Sequence, residues 1–276
     1  MNIDLHCHST ASDGALSPGD VVRRAAAQGV GMLALTDHDQ LDGLQEAREA
    51  ARGNGIVLID GVEVSVSWRG LTLHVVGLAV DPRNSALRVG IERVRSGRIE
   101  RAREMGRSLE QAGILGSFEG ALALARNPAM VSRTHFARYL ALSGRVADTK
   151  DAFRHFLVPG KPGYVPHCWA DLADALRWIG DAGGHAVLAH PGRYALSAGA
   201  MESLLAEFRA AGGEAIEVVT GSHSQDQYAL FGALALEHGL AASRGSDFHG
   251  PQEGAELGSL PTLDPRLRPV WADWEI

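Results

Sequence analysis

The chain has 276 residues, 45% of them hydrophobic, and a formal net charge of -7. That is enough apolar material for one barrel-sized core or a core with a sizeable insertion, and too much for a disordered chain. The acidic balance argues against long duplex nucleic acid as a partner and leaves small phosphorylated ligands open, because bound divalent cations reverse the sign locally. No apolar run reaches membrane-spanning length, and the first residues enter a strand with no basic segment and signal-type run ahead of them. Two cysteines, Cys7 and Cys168, are too few for a disulfide framework and fit a reducing compartment. The expectation is a cytoplasmic protein with no membrane partner, and nothing marks an obligate protein partner.

In chain order, Ile3-Asp4-Leu5-His6-Cys7-His8 and Met32-Leu33-Ala34-Leu35-Thr36-Asp37-His38-Asp39 are short apolar runs of buried-strand length that end in His and Asp. Alternation in an extended chain turns His6 and His8 to one face and Cys7 to the other. Between them Ser17-Pro18-Gly19-Asp20 starts a helix over residues 21–28 that ends near Gly29. A second helix covers residues 43–52 and stops at Gly53-Asn54-Gly55. Residues 56–60 form the next strand, continued by Gly61-Val62-Glu63-Val64-Ser65, which sets Glu63 just past its carboxyl end. Residues 71–78 form a fourth strand carrying His74.

From Pro82 the alternation breaks. Residues 85–111 read as one long helix, with eight Arg between Arg83 and Arg107, and short helical pieces punctuated by prolines follow. Residues 83–165 therefore read as a helical insertion between the segments 1–82 and 166–276. Ile91, Val94, Ala102, Met105 and Leu109 have helical spacing; Arg98 falls on that stripe and looks inward toward an anion, while the other arginines make a solvated face whose stems cover apolar surface. Beyond it, helices at 169–182, 200–211 and 225–238 alternate with strands at 185–189, 214–218 and 241–242, and the loops 190–193 and 245–250 carry His190, Arg193, Asp247 and His249. Strands separated by helices imply right-handed crossovers and a parallel sheet. About seven strands favour an α/β architecture closed, or nearly closed, into a barrel. Residues 257–276 pack as an irregular strap.

His6, His8, Asp13, Asp37, His38, Glu63, His74, His190, Asp247 and His249 all sit at strand ends. In a parallel barrel those ends meet on one rim, where so many carboxylates and imidazoles require cations. One metal takes three or four protein ligands, so the set serves about three metals. Imidazole and carboxylate suit Zn, Mn and Fe alike. Asp37 is the exception, since a carboxylate beside a ligating imidazole commonly holds it from behind; here it would hold His38.

His6-Cys7-His8 with Asp13, Thr36-Asp37-His38, Gly61-Val62-Glu63, His74, Ala189-His190-Pro191 and Asp247-Phe248-His249 resemble, in order, the motifs of the PHP (polymerase and histidinol phosphatase) family of metal-dependent phosphoesterases. The resemblance implies a distorted seven-stranded β/α barrel with a two- or three-metal centre, taken here as three Mn ions, with Fe or Zn fitting the same ligands. One metal would sit on His6, His8 and Asp247, a second on His74 and His190 with Glu63 bridging the two, and a third on Asp13, His38 and His249. A metal-bridging hydroxide would then attack phosphorus in line, and His190, Asp247, His135 or His223 would protonate the leaving group.

Ser132-Arg133-Thr134-His135-Phe136-Ala137 and Gly160-Lys161-Pro162-Gly163-Tyr164-Val165 resemble the branch of 3',5'-nucleoside bisphosphate phosphatases and 5'-to-3' exonucleases on short RNA. That narrower resemblance makes the insertion a substrate cap, with Arg133 and Lys161 as phosphate ligands and Ser132, His135 and Arg193 as helpers. The implied substrate is a small phosphorylated nucleotide, extending to short oligonucleotides. Three rivals remain: a histidinol-phosphate phosphatase, a proofreading-type nuclease module, and a non-catalytic metal-loaded module that binds nucleotides.

Overall fold

The computed structural model of the chain describes residues 1–274. Eight strands and ten α-helices follow in chain order: β1 (Asn2–Asp4), α1 (Pro18–Ala27), β2 (Val30–Leu35), α2 (Leu44–Asn54), β3 (Val57–Trp68), β4 (Leu71–Leu78), α3 (Ser85–Arg95), α4 (Arg98–Gln111), α5 (Ser117–Leu124), α6 (Arg133–Leu142), α7 (Thr149–Ala152), β5 (Ala170–Asp171), α8 (Leu172–Asp181), β6 (His185–Leu188), α9 (Ala198–Ala210), β7 (Ala215–Thr220), α10 (Gln225–Glu237) and β8 (Ala241–Gly245). The sheet runs β1-β2-β3-β4-β6-β7-β8, seven strands, and the two-residue β5 pairs with β3 off that path. Main-chain bonds from Leu5 to Arg244, from His8 to Phe248 and from Asp247 to His6 bring the first and last strands together beyond their regular parts. The result is a nearly closed α/β barrel.

The sheet is mixed, which corrects the expectation of an all-parallel one. β3 pairs antiparallel with β4, and β4 antiparallel with β6, whereas the other neighbours on the path are parallel. The reason is the turn at Arg69 and Gly70: both have positive φ, 47° and 81°, the two-residue hairpin geometry that reverses the chain, while a parallel return needs a crossover of a dozen residues or more. β3 also continues to Trp68, so Glu63 lies in the middle of a strand and not past its end. Alternation then sorts the segment: Val62, Val64 and Val66 enter the apolar core, and Glu63 and Ser65 take the other face.

Three apolar clusters organise the chain. The largest lies between the sheet and the helices around it; a second fills the barrel at its base, where Ile3, Leu5, Met32, Val76, Leu78 and Val187 meet Val270 of the terminal strap. The strap is pinned by Ala242 donating to Arg268 and Val270 donating back to Ala242; the last two residues of the predicted strap, 275 and 276, lie outside the described residues. The third cluster belongs wholly to residues 102–157.

The long helix expected over residues 85–111 is two helices, α3 and α4, separated at Ser96-Gly97. Ser96 turns its hydroxyl back to Arg93, and a side chain at Gly97 would come within 2.5 Å of the His167 ring. The break parts the predicted stripe: Ile91 and Val94 pack in the barrel core, and Ala102, Met105 and Leu109 in the separate one.

Candidate metal centre

The site is built from chain that has just left, or is still within, the sheet. The His6–His8 segment is held extended by Cys7 N–H donating to Thr36 Oγ1 and Thr36 N–H donating to Cys7 O, and Cys7 is buried on the opposite face in the apolar core. Beside them, Glu63 of β3 accepts no side-chain bond at Oε2 yet is fully buried. His74 stands one β-bridge away on β4, opposite Ser65, and His190 and Asp247 follow β6 and β8. His190 and Asp247 both adopt positive φ, 29° and 55°, a conformation disfavoured for any residue with a side chain and found where surrounding structure enforces it at functional sites.

The predicted ligands converge in three overlapping groups: His6, His8, Glu63 and Asp247; His38, Glu63 and His74; and His8, Asp13, His38 and His249. In the first, Nε2 of His6 and of His8 lie 3.3 and 3.2 Å from Glu63 Oε2, and 3.4 and 3.2 Å from Asp247 Oδ1. Around the other oxygen of Glu63, His74 Nδ1 is at 2.9 Å and His190 Nε2 at 3.0 Å. In the third, Asp13 Oδ1 is 3.4 Å from His249 Nε2, and Asp13 Oδ2 is 4.0 Å from His38 Nε2. His38 also reaches Glu63 Oε2 with Nδ1 at 2.9 Å, and His8 turns Nδ1 toward Asp13 at 4.0 Å, so these two imidazoles join groups that the sequence kept apart.

The donor set fits divalent cations. His6 Nε2 and His8 Nε2 lie 3.1 Å apart, and with His6 Nδ1 turned to the Glu217 carboxylate its Nε2 offers a lone pair that either a proton on His8 Nε2 or a cation can meet. His8 Nδ1, Asp13 Oδ1, His38 Nδ1 and Glu63 Oε2 are buried and make no aligned hydrogen bond, even though the last two approach to 2.9 Å, a pattern expected of atoms reserved for an ion. The electrostatics agree. Burial disfavours the His6 and His8 imidazolium ions, but Glu217, Glu63 and Asp247 hold His6 well above its usual value, and Asp247 and Glu63 lift His8 to about 10. Conversely, and against the burial that raises them, the surrounding imidazoles hold Asp13, Glu63 and Asp247 well below the usual carboxylate range. Protons there occupy places that metal ions take by displacing them.

Glu217, on β7, escaped the sequence reading. It is buried, receives His6 Nδ1 at 2.6 Å on one oxygen and the His190 main-chain N–H at 2.6 Å on the other, and so orients one imidazole and the loop of a second. Its signal was a lone carboxylate inside the apolar run Ala215-Ile216-Glu217-Val218-Val219. Asp37 does not hold His38, as expected of it; it accepts from Ser9 N–H, Ser9 Oγ and Ser12 Oγ at 2.7, 2.6 and 2.5 Å and so braces the loop that delivers Asp13.

Opposite these groups the basin is walled by basic side chains. Arg98, Arg101, Ser132, Arg133, Trp169 and Arg193 line it together with Asp13, His38, His74, His190, Asp247 and His249. Arg98 is buried and paired with Asp39, which also takes Ser65 N–H and Ser65 Oγ at 2.8 Å each; Arg193 donates to Asp247 at 2.8 Å. Arg101, read as part of a solvated face, is 9% exposed. Ser132 caps α6 and donates to Asp13 Oδ2 at 2.8 Å. Arg138 secures the same helix to the barrel, bonded to both oxygens of Glu253 at 2.8 and 2.6 Å and to the Asp13 carbonyl at 2.7 Å.

Three predicted contact residues stand elsewhere. Lys161 is exposed and outside the basin wall, because the turn after Val158 carries it outward. The His135 ring accepts Ser132 N–H at Nδ1, closing a capping box; burial lowers its pKa to about 4. His223 spends both nitrogens on main chain, Nδ1 on the Val218 carbonyl at 3.1 Å and Nε2 on Gly192 N–H at 2.9 Å, and so supports the His190 loop.

Comparison with known proteins agrees with this geometry. The PHP domain profile matches residues 4–184. A 3',5'-nucleoside bisphosphate phosphatase from Chromobacterium violaceum is 55% identical over 99% of this chain and 96% of its own, and a 5'-3' exoribonuclease from Haemophilus influenzae is 43% identical over 97% of each. The structure of an amidohydrolase from Chromobacterium violaceum, solved with bound sulfate and no metal, superposes with a TM-score of 0.96 over 98% of this chain and 95% of that one, at 55% identity. No described helix is long and apolar enough to cross a membrane. With its ligand motifs, its barrel and these relatives in agreement along nearly the whole length, the chain belongs to the PHP domain family.

Proposed function

We propose that this protein is a Mn-dependent phosphoesterase that removes the 3'-phosphate of nucleoside 3',5'-bisphosphates, such as adenosine 3',5'-bisphosphate, leaving the 5'-monophosphate. The observation that carries the reading is the pairing of three fused carboxylate–imidazole groups with a wall of arginines across one basin. Metal ions would be held by His6, His8 and Asp247, by His74, His190 and Glu63, and by Asp13, His38 and His249. Bound there, divalent cations supply charge neutralisation and water acidified to a pKa of about 7.

The protein's own groups do the rest. Glu217 fixes the ring of His6, so its Nε2 lone pair faces the basin. Arg133 and Arg193 meet the non-bridging oxygens of the reacting phosphate with planar donor pairs. Burial, then the Arg193 charge, lowers His190 to about 4, which keeps its imidazole neutral at physiological pH. Of the four side chains that could pass a proton to the leaving group, His190 and Asp247 line the basin, whereas His135 and His223 do not; His135 Nδ1 is committed to capping and both ring nitrogens of His223 to loop support. Residues of α4 and α6 overhang the ligands, so residues 83–165 serve as a substrate cap.

Activity on short oligonucleotides is a second reading. A broad groove lined by Thr149, Lys150, Gly221, Ser222 and Ala255 continues from Asp247 and His249, with room for a longer leaving chain, and relatives named as 5'-3' exoribonucleases lend it support. The deciding assay is phosphate release from adenosine 3',5'-bisphosphate with Mn, abolished by chelation or by His6→Ala. Histidinol phosphate is run beside it. Absence of turnover on a phosphate-ester panel, with metal bound, overturns the reading in favour of a non-catalytic nucleotide-binding module.

A further inference from the structure

The insertion carries its own apolar core, so polar contacts carry much of its hold on the barrel, and they do not fall evenly over the metal ligands. Arg138 of α6 makes the most of them. Its Nε and Nη2 donate to the two oxygens of Glu253 at 2.8 and 2.6 Å, Nη1 donates to the Asp13 carbonyl at 2.7 Å, and Nη2 also reaches the His249 carbonyl at 3.3 Å. Two ligands from opposite ends of the chain thus meet on one guanidinium. The His249 carbonyl accepts Ala15 N–H as well, at 2.6 Å, which closes the two loops on each other. At the start of the same helix Ser132 Oγ donates to Asp13 Oδ2 at 2.8 Å, while Asp13 Oδ1 stays buried with no hydrogen-bond partner. Arg98 of α4 pairs with Asp39, the residue after His38. The segments of all three third-group ligands, Asp13, His38 and His249, are therefore held from the insertion. Ligands of the other groups are oriented from within the barrel: Glu217 holds His6 and the His190 loop, and Tyr194 Oη accepts His74 N–H at 2.9 Å while donating to the Ala189 carbonyl at 2.8 Å.

We propose that Arg138 is a positioning residue for the third metal ion, so that α6 completes this one site and the ion's affinity depends on the insertion being docked. The inference rests on the three-metal reading of the donor groups and on nothing about the substrate. A carboxylate that binds through one oxygen is only as well placed as the main chain behind it, and Asp13 stands in a loop outside the sheet. A guanidinium fork fixes several acceptors in one plane, which an ammonium, as a point charge, does not. Glu253 anchors the fork, Ser132 occupies Asp13 Oδ2, and Oδ1, 3.4 Å from His249 Nε2, is left for the ion. Linkage runs both ways, so an ion that gathers Asp13 and His249 tightens α6 against the barrel by the same factor. Because α6 begins at Arg133, filling the third site and seating that arginine over the basin become one event.

The test is a calorimetric Mn titration of chelator-stripped wild type, Arg138→Gln, Arg138→Lys and Asp13→Ala, with bound Mn counted by elemental analysis and folding followed by urea unfolding. Asp13→Ala removes a ligand that belongs to the third group alone and so identifies that group's step. Arg138→Gln is expected to weaken the same step by about 10- to 100-fold, the range for residues that hold metal ligands from behind, and to leave the other two within about threefold. Arg138→Lys, which keeps the charge and much of the packing without the fork, is expected to lose less, and it carries the test if Arg138→Gln does not fold. Hydrogen exchange read by mass spectrometry should show the third equivalent of Mn slowing exchange across α6 in wild type and not at the same Mn concentration in Arg138→Gln. A purely structural arginine would lower the urea midpoint and leave every Mn step in place; that result, or equal weakening of all the steps, overturns the proposal while the three-metal reading stands. Wild type that takes up only two Mn ions overturns the three-metal reading and the proposal with it.

Discussion

Replacing Glu217 by Gln alters one atom type and should alter the metal centre. The carboxylate accepts at both oxygens, from His6 Nδ1 and from the His190 main-chain N–H, each at 2.6 Å. A Gln amide can accept at only one of these positions and must turn its NH2 toward a donor at the other. Each lost charge-assisted bond contributes about 1.5–3 kcal/mol, and the buried donor left unmet costs about 1–3 kcal/mol. Only the part that disorients His6 and the His190 loop reaches the metal; side chains that hold ligating imidazoles typically change metal affinity by about 10- to 100-fold, or about 1.4–2.7 kcal/mol. The half-saturating Mn concentration for phosphate release is therefore expected to rise by that factor, with kcat recovering at high Mn, and direct Mn titration of the protein should report the same shift. A Mn dependence superimposable on that of wild type would refute the argument that Glu217 fixes the ligands from behind.

Other perturbations test other parts of the same scheme. Asp37→Ala strands three donors at Ser9 and Ser12 and is expected to lower stability by about 3 kcal/mol in urea unfolding while loosening Asp13; an unchanged midpoint would show that the loop needs no such brace. Gly245→Ala places a methyl group against His6 Cβ and 2.7 Å from the His6 backbone nitrogen, so both stability and metal content should fall, and full metal content by elemental analysis would contradict the packing. His135 is 2% exposed and its pKa is lowered to about 4, below the 6.5 of an unfolded chain, so its contribution is fully present above pH 6.5 and disappears as pH falls through 4. Linkage makes that contribution about 3 kcal/mol at most, and His135→Gln should flatten the acid limb of stability between those pH values. Mn binding at pH 8 should release protons, because His8 is raised to about 10 by Asp247 and Glu63; calorimetry in buffers of different ionisation enthalpy reads the number, and zero release would show neutral ligands beforehand.

Much of the centre was legible one residue at a time. His-x-His at the end of an apolar run, Thr36-Asp37-His38 and Asp247-Phe248-His249 announce ligands because strand geometry alone sends alternate side chains to one face. Glu217 was hidden because an interior strand carboxylate has no local pattern of its own; its partners, His6 and His190, are 211 and 27 residues away. Arg101 was misread for the related reason that a charged helical face is normally solvated, and its burial follows only from Val165 and Trp169 arriving beside α4. Lys161 stands apart from the basin wall: its basic charge points to phosphate, and the turn that carries it is exposed.

By itself the sequence determined which residue types could bind metal, where most strands and helices lie, and that a core large enough for a barrel exists, since all of these follow from composition and short-range periodicity. Tertiary structure decided the direction of β4, the break between α3 and α4, the sharing of His8 and His38 between groups, and which arginines find a carboxylate. Those outcomes depend on contacts between segments far apart in the chain, whose energies exist only once the sheet has closed and excluded water.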